Sequence, residues 1–206
     1  MTTIAQTLLD IENLQQDIDG YLSRGEIQHS HFIDGMVNVT QAYHFDLLAH
    51  SILATAKTKL AAGSDVLVSN YYALLDQADI HEGYIRFLNI GGLFTVWSLF
   101  ENFIKKTHEN MFEGLKLENI KDAYKDVLHG KKVDRHDIGR MIGEFNVIRF
   151  IRHVLYQDGA YLNPKTRTFV LGQETYTLKK NEPIKPIRFM TVINVIWRHY
   201  LTIVLN

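Results

Sequence analysis

The stretch FNVIRFIRHVLYQDG, residues 145–159, places side chains that can bind anions or move protons inside an apolar run. On a helix, its apolar side chains fall into one arc of roughly 160°. The opposite arc holds two guanidinium groups, an imidazole, a phenol and an amide, from Arg152, Tyr156, Arg149, His153 and Gln157. It lacks lysine and glutamate, the usual residues of a solvated face, and arginine beside histidine suits phosphate binding and proton transfer. The pattern predicts an anion site; the alternative is an ordinary polar face whose arginine stems cover apolar neighbours.

A second chemical signal comes from Glu101, which lies in the aromatic stretch LFTVWSLFENFIKK. An unpaired carboxylate among apolar side chains is costly. We therefore expect an ion pair or hydrogen bond from Glu101 to an arginine such as Arg149 or Arg152. That contact could serve the fold alone, or it could fix the arginine that binds phosphate.

The elements that would position these residues are mainly helical. Helical periodicity or capping signals mark six segments, at residues 3–22, 32–60, 64–75, 84–112, 138–156 and 187–204. The polar segment 117–137 is expected to hold one short helix and a loop. Asp158-Gly159 is a stop signal after residue 156. TRTFVL and ETYTLK alternate around Gly172-Gln173, which predicts a β-hairpin at about 166–180. The expected fold is a mainly α helical bundle with a small β-hairpin before the last helix, in a single domain over residues 1–206.

Two further segments are expected to have structural roles. Gly91-Gly92 lies within a helical pattern and lacks the lysine and hydroxyl residue of a phosphate-binding loop, so close packing or a helix break is expected there. Residues 197–200, WRHY, form a second basic and aromatic patch in the last helix. An interface or a half-buried surface is the expected role of that patch.

Composition excludes several classes of function. The chain has 206 residues, 46% of them hydrophobic, which is enough apolar material for a sizeable core. Without cysteine it has no disulfide framework, thiol nucleophile or cysteine zinc site. The N-terminal residues do not resemble a signal peptide, and the most apolar segment is too short to cross a membrane, so a soluble, unexported protein is expected. His44 and His50 fall on different helix faces, and neither a metal nor a cofactor is expected.

Charge is distributed unevenly along the chain. Residues 146–206 contain nine Lys or Arg and three Asp or Glu, a net charge of +6. Residues 1–145 contain 13 basic and 20 acidic residues, a net charge of −7. Clustered positive charge is typical of proteins that bind an anion such as RNA, but an acidic surface of the same chain would also satisfy it.

The motif of the opening stretch resembles that of the HEPN superfamily. Arg152-His153, three residues, then Gln157-Asp158-Gly159 is similar to the family pattern of Arg, a polar residue, three residues and His. Trp97 followed four residues later by Glu101, and the order of helix, hairpin and last helix, also resemble that group. The resemblance covers roughly residues 84–206 and leaves residues 1–83, the N-terminal helices, without an assigned role.

The resemblance implies a homodimer in which the two helices of residues 138–156 meet and RNA is cut without a metal. Arg152 matches the family arginine, His153 matches its variable polar neighbour, and Gln157 stands where the catalytic histidine falls. A glutamine amide can hold a phosphate but cannot transfer a proton near pH 7, and losing a positioned acid or base costs about 10²- to 10⁴-fold. The binding residues expected around these three are Arg149, Tyr156, Asn146 and Glu101.

The expected function is therefore RNA binding or toxin-like regulation by a weak or inactive ribonuclease. The resemblance implies a cytoplasmic protein of bacterial defence or of a toxin–antitoxin pair, with an antitoxin or other partner protein. One alternative is an active metal-independent endoribonuclease that uses Arg152 and His153, since His153 lies four residues after Arg149 on the same face. The other is a protein–protein interaction module, in which these residues would pair with acids of the N-terminal half and leave no cleft.

Overall fold

The computed structural model describes residues 4–60, 80–114, 119–156, 166–179 and 189–206, without the side chains of residues 50, 52–60, 80–89 and 154–156. The described elements are α1 (Ile4–Ser23), α2 (His31–Leu60), α3 (Ile80–Met111), α4 (Ile120–Gly130), α5 (Arg135–Tyr156), β1 (Arg167–Leu171), β2 (Glu174–Leu178) and α6 (Phe189–Leu205). The expected mainly helical fold, with a hairpin before the last helix, is confirmed. The segments predicted at 64–75 and 158–159 lie outside the described residues. No described helix is both long and apolar enough to cross a membrane.

The start of α5 is set by a cap that periodicity did not reveal. The helix begins at Arg135, three residues before the predicted start. A carboxylate oxygen of Asp134 accepts a hydrogen bond from the backbone N–H of His136 at 2.8 Å, and its carbonyl accepts from Ile138. This cap satisfies amide groups that would otherwise lack a partner, and it extends the helix into a polar turn.

The core is built around α3, which packs against α2, α4, α5 and α6. Trp97, Phe100 and Ile104 of α3 are fully buried, as the apolar run predicted. The ring of Phe145 from α5 lies 4.8 Å from that of Trp97 and 4.5 Å from that of Tyr124 in α4. Burying each such ring contributes roughly 1.5 to 3 kcal/mol. This aromatic cluster holds α5 against the bundle and leaves its opposite face outward.

One helical glycine is required by close packing. A Cβ atom at Gly92 would lie 2.5 Å from the ring of Phe189 at the start of α6. A Cβ atom at the neighbouring Gly91 would meet nothing within 4 Å. The close-packing interpretation is therefore confirmed for Gly92, and α3 continues without a break at this pair.

The hairpin lies beside α5 and α6. Its strands pair antiparallel, with Arg167 opposite Leu178 and Leu171 opposite Glu174. Gly172 occupies the two-residue turn with φ of +62°, a conformation that glycine adopts without strain. Leu171 and Leu178 are buried against the helices, so the hairpin is anchored and brings Arg167 to the edge of α5.

Candidate functional site

The outward face of α5 carries the polar residues that the sequence placed there. Ile148 and Ile151 are fully buried, whereas Arg149 and His153 are exposed and Arg152 is partly exposed. The predicted separation of polar and apolar faces is thus confirmed for these side chains. The side chain of Tyr156, and Gln157 as a whole, lie outside the described residues, so their roles stay predictions.

An open depression of about 550 Å³ lies over this face. Its size falls within the roughly 300 to 1,000 Å³ of small-molecule sites. Five of its six lining residues were predicted from the sequence and one, Phe150, was not; the five are Arg149, Arg152, His153, Asn146 and Glu101. Five predicted site residues therefore lie around one space.

Glu101 makes the contact expected from the sequence. Nη1 of Arg152 donates a hydrogen bond to Oε2 of Glu101 at 3.1 Å. The side chain of Glu101 is 18% exposed and that of Arg152 is 39% exposed, so the carboxylate is the more enclosed partner. The guanidinium of Arg152 also lies 6.0 Å from the ring centre of Phe94. These contacts hold Arg152 on the α3 side of the depression while leaving other N–H donors of its guanidinium outside the pair.

The depression is electropositive. Arg149 makes no ion pair with any described residue, and Arg167 of β1 lies with its guanidinium carbon 5.3 Å from the ring centre of Phe150. Two arginines and one carboxylate, Glu101, line the depression, and Arg167 adds a third arginine beside it, so guanidinium groups outnumber carboxylates there three to one. An arrangement with excess guanidinium groups favours an anionic ligand with several acceptor oxygens.

A second polar cluster, which the sequence did not reveal, lies in the core between α4, α5 and α6. Glu144 accepts hydrogen bonds from Nη2 of Arg198, at 2.6 and 2.7 Å to its two oxygens. Nε2 of His199 lies 2.8 Å from the same carboxylate, and Nδ1 of His199 lies 2.9 Å from the hydroxyl of Tyr124. His199 and Tyr124 are fully buried and closed to a ligand, whereas the side chain of Arg198 is 40% exposed.

The charges in this cluster have a defined arrangement. Burial raises the pKa of Glu144, but hydrogen bonds from His199 and Arg198 outweigh it and lower that pKa to about 2. Burial lowers the pKa of His199, although the Glu144 carboxylate opposes that shift. Burial also raises the pKa of Tyr124 well above its ordinary value. Neutral His199 therefore donates from Nε2 to ionised Glu144 and accepts at Nδ1 from the hydroxyl of Tyr124.

The interface or half-buried role expected for residues 197–200 is wrong for three of the four residues. Trp197, His199 and Tyr200 are buried, and Nε1 of Trp197 donates to a carboxylate oxygen of Asp17 at 2.7 Å. The sequence does contain one signal for this cluster: Glu144, like Glu101, is a carboxylate among apolar residues. Glu144 needs a partner for the same physical reason as Glu101.

Comparison of the chain with protein-family models, with curated proteins and with solved structures finds no match. The resemblance to the HEPN superfamily therefore rests on the motif residues and the order of elements. Within the described part of the chain, no three His, Asp or Glu side chains are grouped so that they could hold a metal ion. The geometry on α5 supports anion binding by guanidinium and imidazole groups.

Proposed function

We propose that this chain binds RNA in the depression on α5 and cleaves RNA weakly or not at all. The observation that carries the proposal is that Arg149, Arg152 and His153 share one open depression with a single carboxylate, Glu101. RNA phosphates offer the closely spaced acceptor oxygens that guanidinium groups bind in a bidentate manner.

The arginines would have different roles in holding phosphate. Arg152 is fixed by Glu101, so part of the entropic cost of ordering its side chain is met before the ligand arrives. Arg149 is exposed and free to move toward a phosphate as the ligand binds. The amide of Asn146 and the imidazole of His153 supply further hydrogen-bonding groups in the same depression.

Weak cleavage follows from the motif. In the HEPN resemblance Gln157 stands at the position of the catalytic histidine, and its amide cannot act as a general base. The proposal extends, on the same resemblance, to a homodimer formed through α5 and to toxin-like regulation with a partner protein. An outward α5 face on which Arg149 is exposed is consistent with contact to a second molecule.

A salt titration of RNA binding tests the proposal. Fluorescence anisotropy with a labelled single-stranded 12-nucleotide RNA would be measured for the wild type, Arg149→Gln and Arg152→Gln. We expect each substitution to weaken binding roughly tenfold, and to reduce the slope of log K against log salt by about 0.7 for each phosphate that is no longer neutralised.

Arg135→Gln is the matched control, because Arg135 is an exposed arginine at the other end of α5, about 21 Å from Arg149 along the axis. This control removes the same charge from the same helix and is expected to leave binding within a factor of about two. Equal loss of affinity in all three variants would mean that net charge, and not the depression, determines binding.

Metal-independent cleavage is the second candidate, favoured by the exposed imidazole of His153 beside two arginines. It can be followed in the same samples when they contain EDTA and the RNA is afterwards separated by length. If the wild type shortens the RNA and His153→Ala leaves it intact, the chain is a nuclease and the proposal of binding without cleavage is wrong.

A further inference from the structure

Arg167 lies next to the depression, on the hairpin beside α5. It is the first residue of β1, its side chain is exposed, and its guanidinium carbon lies 5.3 Å from the ring centre of Phe150. Phe150 is itself a lining residue of the depression. Because Leu171 and Leu178 anchor the hairpin in the core, the position of Arg167 beside Phe150 is set by the fold.

Arg152 and Arg167 lie toward opposite edges of the polar face, with Arg149 and His153 between them. At about 100° per residue, His153 lies about 60° around the helix from Phe150, Arg149 about 100° and Arg152 about 160°. Arg152 turns toward Glu101 of α3, on the side away from Phe150. The depression is thus bounded by Arg152 and α3 at one edge and by Arg167 and the hairpin at the other.

The width of the helix decides which ligand can use both edges. A helix with its side chains is about 10 to 12 Å across. Oxygens of a single phosphate accept charge-assisted hydrogen bonds at about 2.7 to 2.9 Å, so one phosphate cannot contact guanidinium groups at both edges. Phosphates separated along a nucleotide chain meet the spacing.

We infer that Arg167 binds a second phosphate of the same RNA strand, which crosses α5 from the Arg152 edge to the hairpin. The ligand class is then an oligonucleotide and not a mononucleotide. This inference rests on the proposed RNA binding at the depression. It adds a binding residue outside the motif and a direction for the strand.

The test compares a short and a long ligand. Anisotropy with a labelled uridine 12-mer, and competition by uridine monophosphate, would be measured for the wild type and Arg167→Gln, with Arg135→Gln as the charge-matched control. Arg167→Gln is expected to weaken 12-mer binding roughly tenfold and to lower the salt slope by about 0.7. The affinity for uridine monophosphate is expected to change less than twofold. Arg167→Lys, which keeps the charge, should recover part of the 12-mer affinity.

Three results would overturn the inference, and each points to a different fault. Equal loss for the 12-mer and the monophosphate would place Arg167 at the same phosphate as Arg149. Undiminished 12-mer binding in Arg167→Gln, with loss in Arg149→Gln and Arg152→Gln, would remove Arg167 from the site but keep the proposed function. Absence of 12-mer binding by the wild type at low salt would overturn both.

Discussion

Glu101 and Glu144 meet the same physical requirement, since each is a carboxylate on a helix that packs into the core. Both are paired with arginines, Arg152 and Arg198, that come from later helices. The surroundings of the two pairs differ. The first pair lies beside an open depression, whereas the carboxylate of the second is also paired with the buried His199. A sequence shows that such a carboxylate needs a partner, but the choice of partner depends on which helices become neighbours.

The pKa shifts in the buried cluster predict that the folded protein loses stability in acid. The folded-state pKa of His199 is below its ordinary value of 6.5, so the unfolded chain binds more protons as pH falls below about 6.5, and stability declines. The pKa of Glu144, about 2 in the folded state against 4.5 ordinarily, causes a further loss below about 4.5. The free energy of unfolding, measured in urea at several pH values, should therefore be level at pH 7 to 8 and fall with acidification.

His199→Gln isolates the first of these losses. This variant is less stable at pH 7, because glutamine packs poorly between Tyr124 and Glu144, but its stability should change less between pH 7 and 5 than that of the wild type. Asn194→Gln, at an exposed position of α6, controls for changes to the helix itself. An unchanged pH profile in His199→Gln would contradict the assignment of a neutral buried imidazole.

At the scale of elements, periodicity located five of the six described helices, because each has an apolar face directed at the core. The sixth, α4, was expected only as a short helix somewhere within the polar segment 117–137. Helix ends were less accurate: the start of α5 depends on the side chain of Asp134, and one capping residue carries little periodic signal. Hairpin residues followed from alternation and from Gly172. What could not be predicted was the packing between elements, including the approach of β1 to α5 that places Arg167 beside Phe150.

The packing of α3 on α6 gives a prediction at the same scale. Gly92→Ala places a methyl group 2.5 Å from the Phe189 ring, and we expect a loss of about 1 to 3 kcal/mol of unfolding free energy. Gly91→Ala has open space around it and should gain roughly 0.5 to 1 kcal/mol from helix propensity. Urea denaturation of both variants measures the difference, and a similar shift in the two would show that the close contact at Gly92 is not present in solution.

At the scale of the whole molecule, the charge asymmetry between the two segments is neutralised only in part by ion pairs among the described residues. Acids of residues 1–145 pair with Arg152 and Arg198 of the basic C-terminal segment. Arg149 and Arg167 stay exposed beside the depression. The sequence left two possibilities: an open basic cleft, or arginines paired with acids of the same chain. Both kinds of arginine are present, since Arg152 is held by Glu101 and Arg149 faces outward.

The buried cluster also affects the site through the position of α5. Glu144 fixes α5 against α6 about two turns before Arg152, and Phe145 packs on Tyr124 of α4 in the aromatic core. The outward face is therefore carried by a helix with a set orientation. Residues that hold phosphate are better placed on such a rigid element than on a loop.

Photocrosslinking to RNA tests the central claim most directly. A 12-mer containing 4-thiouridine would be irradiated with the protein in EDTA, and the linked peptides would be identified by mass spectrometry after cleavage at glutamate. Binding at the depression predicts crosslinks between Glu144 and Glu174, a segment that contains both the α5 face and Arg167, together with RNA of unchanged length. Crosslinks confined to α1 or α2, or equal crosslinking of an Arg149→Gln, Arg152→Gln double variant, would contradict the claim.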